Sequence, residues 1–443
     1  MDRAPRTAAW VCGGVGLALL ARLLHGGGDA GYDALYSLIW GRELIDGALP
    51  DVQVEGAPTP HPGGIAMASL AAPFGVDAAR EILLAVSYLG LGFAAAAVAV
   101  ETERLAGALG AICAALLVVL APPIADLARE AYVDLPFAAL VTTAVALVVR
   151  NGSAVRLPLS LLAAAGTLRP EAWAFALALV LWRGRDDWLA WALAAAGPVV
   201  WGAVDLALTG EVFSSAASTE LRGRPTGIAD AFQGAPAGAR ELIGAFAAGA
   251  ALVGAYAVSV VRPTLANAAI GAPAIALVCF LVFGAAGQPV IQRYTLLLSL
   301  LLVPLAATAA FGWTRLDGDH RARRWWAPAG VLLAIGLAAA AIIRLDDPQG
   351  LDDRLPEADD LEQLVRSDSL RDAVAGCGVL QVGATEYVPL ARWVVDLEAD
   401  DVVAYDAGAP RAGTLVIPLA ERPPAGAAPI EDSRAWSAFA LDC

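Results

Sequence analysis

Two aspartates four residues apart, Asp29 and Asp33, open a polar stretch at residues 29–62 that also carries Asp46 and Asp51. Tyr32, Tyr36 and Trp40 repeat at the same spacing. Residues four apart share a face of a helix, so the pattern sets a carboxylate pair beside an aromatic stripe. A carboxylate so placed can take the proton from an attacking hydroxyl or amine, the task of a general base. The same residue types also have plain uses. Aspartate is a good helix N-cap, the reading preferred for Asp29 behind Gly26–Gly28. Tyrosine and tryptophan collect at membrane interfaces. Asp33, in the middle of the pattern, is the residue assigned to chemistry.

A second acidic group follows at Ala128-Arg129-Glu130, then Tyr132 and Asp134. Glu130 and Asp134 are again four apart. Two acidic pairs can hold a divalent cation, or simply solvate a loop. Arg129, Arg169 in TLRPEAW, Arg222 or Arg224, and Arg293 in QRYTLLL are forks suited to a phosphate. Any one of them can instead snorkel to lipid headgroups. His61, between prolines in PTPHP, reads first as part of a rigid turn and second as a metal or phosphate contact.

The elements that must position these groups are membrane helices. Of 443 residues, 58% are hydrophobic and 16% charged, against about 45–50% and about 25% in soluble domains. Apolar runs long enough to cross a bilayer recur along the chain. Only helices or closed barrels can span lipid, and the continuous Ala/Leu/Val runs lack the alternation of a barrel. About eleven spans of roughly bilayer length are predicted: 7–24, 79–100, 105–121, 134–149, 157–168, 171–182, 187–208, 239–260, 264–287, 294–312 and 326–344. The pair at 157–182 is short and can be one broken helix. Residues 63–76 suit an interfacial or re-entrant helix. The fold class is thus an all-α polytopic membrane protein with a small C-terminal α/β domain, divided at 1–345 and 346–443, with the outer loop at 25–78.

Arginine is the sole strongly basic residue, so lysine Schiff-base chemistry and a Walker-type phosphate loop are excluded. Arg315, Arg321, Arg323 and Arg324 form the densest basic cluster. Positive residues favour the cytoplasmic side, which sets the N-terminus inside and the tail outside. The first span lacks a small-residue cleavage site and is read as a retained helix. From residue 345 onward, 20 acidic residues face 7 arginines and carry most of the net charge of −15. The tail alternates helical and strand patterns: helices at 357–376 and 386–396, strands at 379–384, 401–406 and 413–419. Nothing in it reads as catalytic. Cys377 and Cys443 lie on the oxidising side, where a disulfide is expected. Cys12, Cys113 and Cys279 lie in spans as small hydrophobes.

The order of these features resembles the GT-C superfamily of membrane glycosyltransferases. The bacterial branch that it resembles includes protein O-mannosyltransferases and lipid A aminoarabinose transferases. YDALY at 32–36 resembles the acidic motif of the first outer loop, and REAYVDLPFAAL at 129–140 resembles the second. TLRPEAW at 167–173 and QRYTLLLSLLLVPLAA at 292–307 resemble further segments. The resemblance spans residues 1–345 and implies a catalytic acid at Asp33, with Tyr36 as the motif tyrosine. It implies Glu130 and Asp134 in the second acidic loop, and Arg293, Arg169 or Arg129 at the donor phosphate. With no lysine available, arginine must fill that last role. Tyr32 stands where the family has its first acid. The implied partners are a polyprenyl-phosphate sugar donor, membrane lipids and an acceptor outside the cytoplasm, without nucleic acid. A divalent metal is a candidate cofactor. The implied reaction inverts the anomeric carbon. The two acidic loops are then expected to face one outer cavity. The rivals are a secondary transporter, for which no internal repeat is found, and a non-catalytic relative of the same fold.

Overall fold

The computed structural model describes residues 3–54, 56–150, 155–215, 227–345, 351–395, 397, 401–406, 411–424 and 426–442. They group into two units. The first is Met1–Gly28, His61–Gly64 and Leu84–Asp347; the second is Asp29–Pro60, Ile65–Leu83 and Pro348–Cys443. The C-terminal boundary lies where the sequence changes from apolar to acidic. Of the outer segment, Asp29–Pro60 and Ile65–Leu83 group with the C-terminal residues, while His61–Gly64 groups with the first unit.

The described residues of the first unit form the helices α1 (Arg3–His25), α4 (Val76–Val119, from Leu84 on), α5 (Pro122–Arg129), α6 (Asp134–Arg150), α7 (Arg156–Leu168), α8 (Glu171–Leu179), α9 (Trp188–Thr209), α10 (Ile228–Ile243), α11 (Ala245–Val261), α12 (Pro263–Ala285), α13 (Leu296–Phe311) and α14 (Arg321–Leu345). Among the described residues, five helical segments are long and apolar enough to cross a membrane, and seven when each bent pair counts as one span. The protein is a multi-pass membrane protein.

The breaks follow backbone chemistry. α4 merges two predicted spans across Gly107, at φ 81°, a conformation that L side chains rarely adopt. α5 and α6 bend by 120°. The predicted span at 239–260 is two helices bent by 110° around Gly244, at φ 86°. Arg169–Pro170 separates α7 from α8, the break expected in the short pair. α9 begins at Asp187, whose side chain accepts from the Leu189 N–H at 3.1 Å, and ends at left-handed Gly210.

α13 is the buried centre of this unit, with Leu300, Leu301, Val303 and Leu305 almost fully covered. α14 has the opposite character. Trp325, Leu332, Ile335, Ile342 and Ile343 are exposed on it, as expected of a helix whose solvent is lipid. α11 meets α13 at Gly254, where a Cβ would stand 1.8 Å from the Leu305 carbonyl oxygen. Small residues allow such backbone approach between membrane helices. Gly254→Ala is expected to push the pair apart at a cost of about 1–3 kcal/mol, read as a lowered Tm in detergent; an unchanged Tm contradicts that packing.

Among its described residues the second unit contains α2 (Tyr32–Ile45), most of α3 (Pro62–Ala71), the start of α4, α15 (Leu351–Val365), α16 (Asp368–Cys377), α17 (Val388–Val395) and five strands: β1 (Leu380–Val382), β2 (Val402–Ala404), β3 (Gly413–Pro418), β4 (Ala428–Asp432) and β5 (Trp436–Leu441). The sheet order is β2-β1-β3-β5-β4. β1 is parallel to both β2 and β3, while β5 is antiparallel to β3 and β4. The helix predicted at 357–376 divides at Ser367, which caps α16 by accepting from the Leu370 N–H. β4 and β5 were not predicted; β4 carries Pro429, Glu431 and Asp432, which hide its strand pattern.

Ion pairs bind the outer segment into this unit. Arg392, 4% exposed, donates to Glu43, and Arg42 lies 4.3 Å over the Trp393 ring. Arg80 reaches Glu362 at 2.7 Å, Asp77 at 3.1 Å and Asp29 at 3.2 Å. Burial raises the Glu43 carboxyl, with Arg392 opposing. Cys377 is disulfide-bonded, while Cys12, Cys113 and Cys279 are free thiols. Cys443, its expected partner, lies outside the described residues.

Asp360 anchors the last strand. It accepts from Ser433 Oγ at 2.6 Å and from the N–H groups of Ala435 at 2.7 Å and Arg434 at 3.4 Å. Burial pushes its carboxyl up, but these donors outweigh burial and hold it below the usual aspartate range. Its stabilising effect is therefore complete above the ordinary aspartate pKa and is lost as pH falls through the lowered one. Asp360→Asn is expected to cost about 1–3 kcal/mol and to loosen β5 at neutral pH. Hydrogen exchange at β5 in the full chain reads this, and equal protection in both proteins would contradict it.

Candidate functional site

The first unit gathers its polar side chains where α6, α7, α8 and α13 begin or end. Arg169 caps α7 in an extended conformation, which turns its side chain off the helix. Its Nη1 donates to Asp134, and its Nε and Nη2 donate to Glu171 Oε1 at 3.0 and 2.7 Å. All three residues are buried, at 7%, 3% and 8% exposure. Two carboxylates around one guanidinium leave a net negative charge. Glu171 Oε2 is also buried without a hydrogen-bond partner among the described residues.

Aromatic rings surround this cluster. The Arg169 guanidinium lies 4.5 Å from the Tyr294 ring centre and 5.8 Å from that of Phe137. Arg293 lies 4.5 Å from the Tyr132 ring and 5.6 Å from Tyr294. Stacking of a guanidinium on a ring stabilises by roughly 0.5–2 kcal/mol and fixes its plane. Asp134, Phe137, Arg169, Glu171, Arg293 and Tyr294 share one small cavity of about 10 Å³, about the space of one water molecule.

Glu130 and Asp134 do not share a helix face. Glu130 caps the end of α5, and Asp134 starts α6 beyond the 120° bend. Ala131 between them takes a positive φ of 55°. Ser87 Oγ holds the turn by donating to the Tyr132 carbonyl at 3.2 Å. Arg129 donates from Nε to the Gly27 carbonyl at 2.9 Å and from Nη1 to Asp126 at 3.3 Å. Gly28 permits this approach, since a Cβ there would stand 2.0 Å from the Arg129 carbonyl oxygen. Among the described residues, no three His, Cys, Asp or Glu side chains converge on a metal-sized site.

His61 stands edge-on to Trp201 at 5.6 Å, and Trp201 stands edge-on to Trp173 at 5.8 Å. Nearby, buried Asp205 accepts from Ser215 N at 3.1 Å and Ser215 Oγ at 2.6 Å, and the Trp201 indole donates to that hydroxyl at 2.8 Å. Asp205 is thus a satisfied structural acid. Arg222 and Arg224 lie outside the described residues.

In the second unit, Asp33 sits in the first turn of α2 and is half-buried. The aromatic stripe is packed inward: Tyr36 and Trp40 are 2% and 0% exposed. Tyr32 stacks edge-on to Tyr36 at 5.0 Å, and its hydroxyl donates to the Gly56 carbonyl. Trp40 donates to the Asp51 carbonyl at 3.1 Å. Asp29 is not the N-cap. Gly31 takes that position, and Asp29 accepts from the Ala30 N–H at 2.7 Å and pairs with Arg80. The cause is the half-buried Arg80 guanidinium, which draws carboxylate partners. Burial raises the Asp29 carboxyl, with Arg80 opposing. Asp33 and Glu130 belong to different units.

No family model and no curated protein sequence matches the chain. Solved structures do match, over its whole length. ArnT from Cupriavidus metallidurans bound to undecaprenyl phosphate aligns with a TM-score of 0.60 at 12% identity, over 99% of this chain and 98% of that one. The chain has the GT-C fold of ArnT. The apo state of ArnT aligns at 0.56 with 13% identity, over 98% of each chain. The match to ArnT therefore takes in the acidic C-terminal residues as well as the helices. Sequence reasoning missed Glu171, Tyr132, Phe137 and Tyr294 as members of the Arg169 cluster. All four were in view: Glu171 is two residues beyond Arg169 in TLRPEAW, Tyr294 follows Arg293 in QRYTLLL, and Tyr132 and Phe137 lie in REAYVDLPFAAL.

Proposed function

We propose that the protein is an inverting glycosyltransferase that moves a sugar from a polyprenyl-phosphate donor to an acceptor outside the cytoplasm. The observation that carries this reading is the full-length GT-C fold shared with ArnT, a protein solved with undecaprenyl phosphate bound. In this reading Asp33 is the general base. Its carboxylate takes the proton of an acceptor hydroxyl or amine as that atom bonds to the anomeric carbon. The bond from that carbon to the phosphate oxygen breaks, and its electron pair leaves with the polyprenyl phosphate. Arg293 meets the charge that develops on the leaving phosphate. Arg169 is less suited to that task, because Asp134 and Glu171 already compensate its charge. Its part is to fix the ends of α6 and α8 and to set Tyr294, on which Arg293 also stacks. No step is assigned to a metal, since the described carboxylates do not gather as ligands.

The test is turnover. Purified protein is incubated with a panel of polyprenyl-phosphate-linked sugars and a membrane extract as acceptor source. Release of free polyprenyl phosphate together with transfer of label to an extract component is the expected result. Release of none from any donor, by protein that remains folded, would overturn the assignment.

A further inference from the structure

A second polar cavity lies at the arginine-rich end of the first unit. It encloses about 550 Å³ and is lined by Ala9 and Trp10 of α1, Val100, Glu103 and Arg104 of α4, Arg150 of α6, and Arg315. Three arginines from three segments face one carboxylate there, a net excess of two positive charges. Two of the three are held in place by backbone. Arg104 Nη2 donates to the Arg150 carbonyl at 3.3 Å, and Arg315 Nη2 donates to the Glu103 carbonyl. Thr314 Oγ1 donates to the Ala106 carbonyl at 2.7 Å beside the Gly107 break, which locks the Arg315 turn onto α4. A guanidinium has five N–H donors, so each anchored arginine keeps further donors for a ligand. The Arg150 guanidinium makes no hydrogen bond or ion pair among the described residues.

We infer that this cavity holds the phosphodiester headgroup of an anionic phospholipid. Guanidinium forks match phosphate oxygens in charge and geometry. Trp10 supplies the amphipathic ring that settles at headgroup level, and the flanking helices carry the apolar faces along which acyl chains would run. The volume lies within the range of small-molecule sites. Arg321 and Arg324 provide the contrast: they belong to the same arginine-rich part of the chain and are as exposed as Arg104, Arg150 and Arg315, but they line no part of this cavity. The site is separate from the Arg169 cluster, and the inference does not depend on the transferase reading.

Native mass spectrometry of the full-length protein in neutral detergent, titrated with phosphatidylglycerol, tests this. Wild type is expected to retain one tightly held lipid. Arg104→Gln with Arg150→Gln should weaken retention at least about tenfold, since each interfacial arginine favours an anionic lipid. The charge-matched pair Arg321→Gln with Arg324→Gln should stay within about threefold of wild type. Arg150→Gln alone removes no contact among the described residues, so it should fold normally and still bind more weakly. Excess inorganic phosphate should not displace the lipid. Equal weakening by both pairs would reduce the effect to general surface charge and overturn the inference. Displacement by phosphate alone would make it a soluble-anion site and overturn the lipid assignment. Phosphatidylcholine retained as well as phosphatidylglycerol would overturn it too.

Discussion

Asp33→Asn is expected to abolish sugar transfer while leaving the protein folded. A general base contributes on the order of 10²–10⁴-fold in rate, and an amide of the same shape cannot take the proton. The fold should tolerate the change. Asp33 is half-buried at the first turn of α2, and its neighbours Ala34, Leu35 and Tyr36 supply the packing. The helix loses the small stabilisation that a carboxylate gives at its N-terminus, about 0.3–1 kcal/mol. Measured kcat with the true donor should fall by that factor, with Tm nearly unchanged. A variant that keeps full activity would remove Asp33 from the mechanism. A variant that unfolds would make it a structural residue.

The largest stability effect is expected at Arg169. Arg169→Ala leaves Asp134 and Glu171 buried without the guanidinium that donates to both, which costs about 3–5 kcal/mol. It also removes the cation stacked between Phe137 and Tyr294. The triple variant Arg169→Met, Asp134→Leu, Glu171→Leu should recover most of that stability, because a buried ion cluster replaced by apolar groups is often neutral. The triple variant should still lose transfer if the cluster positions the reacting groups. Thermal unfolding in detergent separates the two effects. A single variant as stable as wild type would mean that water reaches the cluster and screens it. A triple variant with full activity would confine Arg169, Asp134 and Glu171 to structure.

The sequence carried the architecture because lipid leaves few alternatives. A run of 17–25 apolar residues in a bilayer must be a helix, so α9, α12, α13 and α14 were legible from composition. Breaks were less legible. Gly107 kinks α4 and Gly244 ends α10, both through positive φ, yet glycine is common throughout this chain, and nothing local marks those two. The acidic tail was recognised as α/β from its alternating patterns, but β4 and β5 were not, because Pro429 and the acids of β4 interrupt the period-two signal. The site was legible in part. Residue types flagged Asp134, Arg169 and Arg293, and the structure joins them in one cavity. Spacing misled for Glu130 and Asp134, because a helix-face argument fails across a bend. It misled again for Asp29, whose partner Arg80 lies 51 residues away. Such pairing is a tertiary fact that no local pattern can hold.

The most direct measurement is undecaprenyl phosphate binding to the purified protein in neutral detergent, wild type beside Arg293→Gln. Polyprenyl phosphate is the leaving group of the proposed reaction, so it must bind whatever sugar is transferred. The account predicts saturable binding by wild type, competed by polyprenyl phosphates and not by the uncharged polyprenol. It predicts at least about tenfold weaker binding by Arg293→Gln, since one desolvated charge-assisted contact supplies about 1.5–3 kcal/mol. Binding of the polyprenol as tightly as the phosphate, or no loss in Arg293→Gln, would contradict it.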